Sequence, residues 1–305
     1  MSLVSDVTPL LAAADAQIAD LTTRLTGAQM SVTALTADKL SLSAQVADLT
    51  ARLAAATTPP PVAPPPTTTG PTLPSGWTRT VFFDDFTGTT VDKTKWNVRD
   101  NTTQSNMDGR NFARNCTVKD SVLSIRSGND TGDSAHPWSC GYLDTIGKAA
   151  FQTGRWEARI RHPWGPTATG FWGAFWLRPG DGGIGEMDIL EAWPAKGDVH
   201  QSLWRDYTGT PHVEGKHQTI PPFDPSQWHT YAVEKEPGVC RFLVDDVLVW
   251  DASKSATWVA EALDRNVTWN IRLNLQMGGS YGGKPTAATN LAQTFDIDWV
   301  RVLAR

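Results

Sequence analysis

The sequence predicts an all-β domain, a β-sandwich, that follows an α-helical coiled-coil stalk and a proline-rich linker. Three observations predict this order. A seven-residue apolar repeat runs through residues 1–56, eight prolines fall within residues 57–75, and short alternating segments separated by turn residues fill residues 76–305. The three parts differ in composition, since all 14 Trp lie in the third.

The stalk prediction rests on two apolar positions that recur every seven residues between Leu11 and Ala56. A period of 3.5 residues indicates a left-handed coiled coil. Thr8 and Pro9 supply an N-cap and a first-turn proline, so the helix should begin near residue 9 and extend roughly 70 Å at ~1.5 Å per residue. We expect a homo-oligomer, a dimer or trimer, through residues 9–56; a single amphipathic helix packed on its own domain stays open. The two series are Leu11, Ile18, Leu25, Val32, Lys39, Val46 and Leu53, and Ala14, Leu21, Ala28, Leu35, Leu42, Leu49 and Ala56.

Residues 57–75 read TTPPPVAPPPTTTGPTLPS. So many prolines with so few apolar residues favour a semi-rigid polyproline spacer over a folded segment.

Charge and hydropathy exclude several classes of partner. The net charge of the 305 residues is −5, which argues against a nucleic acid held by a basic patch. No apolar run approaches the ~20 residues of a membrane span, and residues 1–17 lack the pattern of a secretory signal. We therefore expect no nucleic acid, no membrane insertion and synthesis in the cytoplasm.

The chain has three cysteines, Cys116, Cys140 and Cys240, and an odd number argues against a disulfide framework. Buried free thiols are the favoured interpretation, and a Cys116–Cys140 pair stays open.

The third part predicts a sandwich because its segments alternate with period two. Examples are 118–125, 155–160, 230–234, 240–244 and 295–302, each bounded by Gly, Pro, Asn or Asp. No long stretch has helical periodicity, so an antiparallel β-sandwich is predicted.

Another segment, Gly185–Trp193 (GEMDILEAW), contains three acidic residues within six positions. It holds two of the seven Glu in the chain. On a strand, Met187 and Ile189 would face a core while Glu186 and Asp188 share the opposite face.

Strict alternation would place Glu191 on the core face, where an unpaired carboxylate is costly. A one-residue β-bulge would return Glu191 to the acidic face and accommodate Leu190. Three neighbouring carboxylates cannot all ionise freely, so the pKa of at least one should rise. Glycoside hydrolysis needs one ionised and one protonated carboxyl group, which such a difference in pKa provides. A solvated acidic face and a divalent-metal site stay open.

Tryptophans cluster in sequence around this segment. Indole rings are common platforms for sugar rings, although core packing is the alternative for any one of them. They are Trp164, Trp172, Trp176, Trp193 and Trp204.

Eight segments, in order along residues 80–303, resemble glycoside hydrolase family 16, the laminarinase-like enzymes with a concanavalin-like jelly roll. The acidic segment resembles the Glu-x-Asp-x-x-Glu signature of the family in its bulged form. The segments are Phe82–Phe86, Lys95–Trp96, Gly154–Ile160, Gly170–Leu177, Gly185–Glu191, Trp228–Val233, Asn274–Gly279 and Phe295–Val302.

The resemblance implies that Glu186 is the nucleophile, Glu191 the general acid/base and Asp188 a partner that positions Glu186. It implies a retaining mechanism, which requires carboxyl groups ~5–5.5 Å apart. No cofactor is expected for catalysis, although family members often hold a structural calcium. Asp298 matches the calcium position, and an Asp paired with an Arg is an equally good interpretation.

The resemblance also implies a substrate cleft. Two departures weaken any transfer of β-1,3-glucan specificity, because Trp204 replaces a common His and Tyr281 replaces a common Trp. The expected substrate-binding residues are Trp172, Trp176, Trp193, Trp204, Tyr281, His200 and Asn274.

Stalk, spacer and head together resemble tail or fibre proteins of bacteriophages. The expectation is a virion-borne endoglycosidase for a host surface polysaccharide, a β-1,3- or mixed β-glucan or a β-galactan, in contact with other tail proteins. The alternatives are a catalytically weak carbohydrate-binding receptor module on the same fold and an exported bacterial β-glucanase.

Overall fold

The computed structural model describes residues 17–25, 71–103, 107–180, 185–204, 213–218, 223–254 and 267–305. The chain divides into two units, Met1–Pro65 and Pro66–Arg305. In the first unit residues 17–25 are helical, and the rest of the predicted coiled coil lies outside the described residues. Ile18, Leu21 and Leu25 belong to the predicted seam, and each is between 59% and 62% exposed.

The second unit is built from β-strands, as its alternating segments predict. In the described residues the strands are β1 (Arg79–Asp84), β2 (Asn97–Val98), β3 (Thr102–Thr103), β4 (Gly109–Asn111), β5 (Cys116–Lys119), β6 (Val122–Arg126), β7 (Trp138–Asp144), β8 (Ala150–Phe151), β9 (Gly154–Arg161), β10 (Phe171–Pro179), β11 (Glu186–Trp193), β12 (Asp198–Trp204), β13 (Val213–Gln218), β14 (His229–Glu236), β15 (Val239–Val244), β16 (Val247–Asp251), β17 (Trp269–Met277) and β18 (Thr294–Ala304). Short 3₁₀-helices lie at Ala113–Asn115, Pro166–Ala168, Pro194–Lys196 and Ala252–Lys254, and one turn of α-helix at Gly279–Gly282.

These strands form two sheets, and nearly all of their pairings are antiparallel. Sheet I has the order β16-β15-β14-β9-β18-β6-β5, with β1 also paired to β18. Sheet II has the order β13-β12-β11-β10-β17-β7-β4-β3, with β2 on β7 and β8 on β17. The predicted all-β sandwich is therefore confirmed.

A single hydrophobic core lies between the inner faces of the two sheets. Strand β17 of sheet II contributes Ile271, Leu273 and Leu275, and β9 of sheet I contributes Trp156 and Ile160, all fully buried. The residues between them on β17, at 270, 272, 274 and 276, point to the opposite face because side chains alternate. This polar outer face of sheet II carries the site described below.

Residues 71–77, which we call the strap, lie on the outer face of sheet I. Arg301 donates from Nη2 to the carbonyl oxygen of Thr72 at 3.2 Å, and Trp77 donates from Nε1 to Glu234 Oε1 at 3.0 Å. Arg301 also pairs with Glu157, which is fully buried and binds Arg155 Nε at 2.6 Å. The strap thus covers a buried charge network, and its contacts with the domain reach back at least to Pro71, ahead of residue 76.

The three cysteines are free and buried, as favoured from the sequence. Burial raises the pKa of the Cys116 and Cys140 thiols to about 12, so both stay protonated. In the part of the chain that the structure describes, no helix combines the length and the apolar composition of a membrane span.

Candidate active site

The predicted bulge is present in β11. Asp188 pairs with Ser202 of β12 and Glu191 pairs with His200, so three steps along β11 match two steps along β12. The extra residue falls within 189–190, and the register against β10 shifts at the same place. Since Ser202 and His200 point the same way, Asp188 and Glu191 share one face of the sheet.

Burial along β11 shows why the strand takes this form. Met187, Ile189 and Leu190 are at most 1% exposed and pack into the core. Glu186 and Glu191 are half-buried, whereas Asp188 is 3% exposed. The bulge therefore buries three apolar side chains and still keeps the carboxylates on the outer face of sheet II, which we call the acidic face.

Two neutral donors hold the inner carboxylates. Trp172 of β10 donates from Nε1 to Glu191 Oε1 at 3.0 Å. Ser202 donates from its hydroxyl to Asp188 and also interacts with Glu191. Both donors belong to the strands that flank β11, so sheet register fixes the two acids from either side.

The three carboxylates shift one another's proton affinity. Burial and the negative charge of Glu186 raise the pKa of Glu191 to about 8, although the hydrogen bond from Trp172 lowers it. Burial, then the charges of Glu186 and Glu191, raise the pKa of Asp188 well above its ordinary value. At neutral pH, Glu191 therefore holds its proton next to Glu186.

Aromatic rings close one end of the acidic face, the Trp193 end. Trp193 and Tyr281 stack with ring centroids 5.1 Å apart, and Trp172 meets Tyr281 edge-on at 5.2 Å. His200 packs against Trp193 at 5.0 Å, and Lys196 Nζ lies 4.6 Å from the Tyr281 centroid. This end offers the exposed ring of Tyr281, backed by the buried Trp172 and Trp193, and the Lys196 cation near Glu191.

The other end, the Trp176 end, combines an indole with polar groups. Trp176 donates from Nε1 to Asn274 Oδ1 at 2.6 Å, and Tyr142 meets its ring edge-on at 6.2 Å. Arg272 lies with Cζ 4.8 Å from the Trp176 ring centroid. Trp204 pairs with Glu186 across β11 and β12.

Comparison with known proteins gives the family. The sequence profile of the glycosyl hydrolases family 16 matches residues 91–301, which is more than half of the chain. The chain belongs to glycosyl hydrolase family 16.

Two curated proteins are similar to this chain in sequence. The chain is 26% identical over 270 residues to "Glucan endo-1,3-beta-glucosidase A1" of Niallia circulans, covering 73% of this chain and 37% of that protein. It is 28% identical over 189 residues to the "Beta-glucanase" of Rhodothermus marinus, covering 56% of this chain and 63% of that protein. The chain thus spans less than two thirds of each of these curated relatives.

A solved structure supports the same fold. The laminarinase from Rhodothermus marinus superposes with a TM-score of 0.62 and 25% identity, over 74% of this chain and 97% of that chain. The architecture of this family 16 domain is therefore a β-sandwich with jelly-roll character.

The structure brings the sequence-predicted site residues of this family 16 domain together. Register places the acids, the tryptophans of β10 and the polar residues of β12 and β17 on the acidic face. The residues of that face that were not predicted include Tyr142, Ser202 and Arg272. The alternation of β17 (Asn270, Arg272, Asn274 and Gln276 between apolar residues) contains a signal for Arg272, whereas Ser202 becomes relevant only through the register of β12.

Asp298, the predicted calcium ligand, lies on sheet I and pairs with Arg159 Nη1 at 2.5 Å. This is the alternative that the sequence left open. Among the described residues, no group of three or more His, Cys, Asp or Glu could hold a metal ion. Arg159 compensates the charge of Asp298 in this structure.

Proposed function

We propose that the domain is a retaining, endo-acting glycoside hydrolase that cleaves a β-linked polysaccharide. One observation carries the proposal: Glu186 and Glu191 share one face of a bulged strand, and the pKa of Glu191 is raised to about 8. Glycosidases of this type need one ionised and one protonated carboxyl group at the scissile bond.

In the first step the Glu186 carboxylate attacks the anomeric carbon while Glu191 donates its proton to the departing glycosidic oxygen. A covalent glycosyl ester forms on Glu186, and the ester no longer carries the negative charge that raises the pKa of Glu191. Glu191 therefore becomes a stronger acid and remains as a carboxylate. In the second step it removes a proton from water, which attacks the anomeric carbon and releases Glu186.

Asp188 and Trp172 have positioning roles in this proposal. Asp188 is hydrogen-bonded with Glu186, and this contact orients the carboxylate that attacks. Trp172 holds Glu191 by its indole N–H, so the proton is delivered from a fixed place.

The proposed substrate class is a β-glucan or a β-galactan. The relatives named above are glucanases or a laminarinase, which favours a β-1,3- or mixed β-glucan. Tyr281, which stacks on the buried Trp193, and the half-buried Trp176 provide ring faces at the two ends of the acids for successive sugars.

We further propose that the domain is displayed on a phage tail and acts on a host cell-surface polysaccharide. The order of stalk, spacer and head that the sequence predicts supports this, as does the exposure of the predicted seam residues Ile18, Leu21 and Leu25. Their exposed apolar side chains favour a dimer or trimer, and several heads on one rod raise the effective concentration at a surface.

Reducing-sugar release from a panel of β-glucans and β-galactans tests the activity. Wild type should release sugar and Glu186→Gln should not, while Glu236→Gln, on sheet I, should match wild type. Equal release by Glu186→Gln, or none by wild type on the whole panel, would favour the binding-module alternative. Mass spectrometry of purified phage particles tests whether the protein is displayed on the tail. If the protein is absent from the particles, the phage-tail proposal is rejected.

A further inference from the structure

Arg272 lies on β17 in a row that crosses the acidic face. Its register partners are Asp144 on β7 and Trp176 on β10, and Trp176 in turn pairs with Asp188 on β11. Two strand spacings, about 10 Å, therefore separate the Arg272 and Asp188 positions. Arg272 is part of the face but not part of the acidic trio.

Neutral groups hold the guanidinium in place. Arg272 donates from Nε to Asn270 Oδ1 at 3.0 Å and from Nη1 to Tyr142 Oη at 3.2 Å. Its Cζ lies 4.8 Å from the centroid of the Trp176 ring. A cation fixed by neutral partners is preorganised, so a ligand that binds it does not have to order the side chain.

No carboxylate of the described residues forms an ion pair with Arg272. The nearest acid in its row, Asp144, already binds Arg99 at 2.7 Å, Asn97 at 2.8 Å and the backbone N–H of Ile146 at 3.1 Å. Arg99 and Asp144 together are neutral, so Asp144 does not compensate the charge of Arg272, and no other acid of the described residues pairs with it.

Three arginines on the outer face of sheet I provide a contrast. Arg159, Arg161 and Arg301 each pair with a carboxylate, respectively Asp298, Asp296 and Glu157. Arg272, on the face that we assign to substrate, has no such partner among the described residues.

Tyr142 adds a second donor at the same place. Burial raises the pKa of its hydroxyl to about 12, so it keeps its proton over the neutral range. Its oxygen accepts from Arg272, and in the described part of the chain neither this O–H nor Arg272 Nη2 has an acceptor. A cationic and a neutral donor side by side suit an oxyanion.

We propose that Arg272 and Tyr142 bind an oxyanion substituent, a carboxylate or a sulfate ester, on a sugar of the polysaccharide. The inference rests on the proposed function, since it names the substrate class of the same face. Trp176 would stack on the ring of that sugar, and the Arg272 guanidinium would form an ion pair with its oxyanion. Neutral glucan would still fit, but without this contact.

Binding to the inactive Glu186→Gln variant tests the proposal separately from turnover. Calorimetric titrations would compare β-glucan and β-galactan oligosaccharides of matched length in three forms: neutral, oxidised to a carboxylate at C6, and sulfated at O6. At low salt, at least one charged form should bind about tenfold more tightly than its neutral counterpart, and added salt should reduce that advantage. The two charged forms distinguish carboxylate from sulfate.

Substitutions identify the residue responsible. In the same background, Arg272→Gln should abolish the preference for the charged forms, and Arg272→Lys should retain part of that preference. Arg241→Gln, a half-exposed arginine on sheet I, is the matched control and should change nothing. Melting temperatures would show that each variant is folded.

Two results would overturn the proposal. Equal affinity for charged and neutral forms would do so, as would a preference that survives Arg272→Gln; if wild type still cleaves the neutral polymer, the proposed function stands alone. If no form binds and wild type cleaves none, the proposed function fails as well.

Discussion

The indole N–H of Trp172 donates a 3.0 Å hydrogen bond to Glu191 Oε1, across the boundary between β10 and β11. This contact links a tryptophan of the ring-lined end to the proposed acid/base. It lowers the pKa of Glu191, in opposition to burial and to the charge of Glu186, which raise it. The pKa of Glu191 is therefore set by opposing effects. A substitution at Trp172 removes the hydrogen bond that lowers it.

Trp172→Phe should shift the alkaline limb of activity upward. In wild type, kcat/KM should fall as pH rises through about 8, because Glu191 then loses the proton that it donates. Without the indole N–H the pKa of Glu191 rises further, and kcat/KM at neutral pH should fall about tenfold since the carboxyl loses its anchor. A pH profile of kcat/KM measures both effects.

Trp176→Phe is the matched control, because its N–H bonds to Asn274 and not to an acid. It should weaken substrate binding and leave the alkaline limb in place. An unchanged limb in Trp172→Phe would contradict the assignment of the limb to Glu191.

Glu191→Gln should stabilise the domain at neutral and alkaline pH. The pKa of Glu191 is about 8 in the folded state and ~4.3 in an unfolded chain. Between these values the folded state holds a proton that the unfolded state releases, so stability falls as pH rises and the full penalty is present above about 8. The gain should be about 1 kcal/mol or more at pH 9, which is roughly 2–4 °C in Tm.

The gain should vanish near pH 4, where Glu191 is protonated in both states. Thermal melts of wild type, Glu191→Gln and the sheet I control Glu236→Gln at pH 4 and 9 measure it. A Glu191→Gln variant that is less stable than wild type at pH 9 would show that the site does not penalise folding.

The sequence was sufficient for the sandwich and for the bulge. The bulge follows from residue types alone, because Leu190 needs the core and Glu191 must avoid it. The buried pairs Arg155–Glu157 and Arg301–Glu157 could not be predicted, since alternation places those charges on an outer face that normally meets solvent. They are buried because the strap, which is far away in sequence, packs over them. A contact between such distant segments produces no local sequence pattern.

Arg301→Gln should destabilise the domain by about 3–5 kcal/mol, because it leaves the fully buried Glu157 without one of its two cations. Arg159→Gln is the matched control, since its partner Asp298 is more exposed and the pair should contribute about 0–1 kcal/mol. Urea unfolding compares the two. Equal, small effects would mean that the strap and its charges add little to stability.

The stalk should assemble through the exposed seam. Leu21→Asp combined with Leu25→Asp places charge on the apolar stripe and should convert a dimer or trimer of the full chain into a monomer. Thr22→Asp with Thr23→Asp adds the same charge beside the stripe and should leave assembly intact. Sedimentation at micromolar concentration measures the state, and a monomeric wild type would refute the stalk prediction.

Azide rescue tests the roles of Glu186 and Glu191 most directly. The variants Glu186→Ala and Glu191→Ala would be assayed on an activated β-glycoside, with azide as a small replacement nucleophile and NMR to assign the product. The account predicts an α-glycosyl azide from Glu186→Ala, because azide attacks in place of the nucleophile, and a β-glycosyl azide from Glu191→Ala, because azide attacks the covalent intermediate. The opposite assignment of anomers, or an inverted product from wild type, would contradict it.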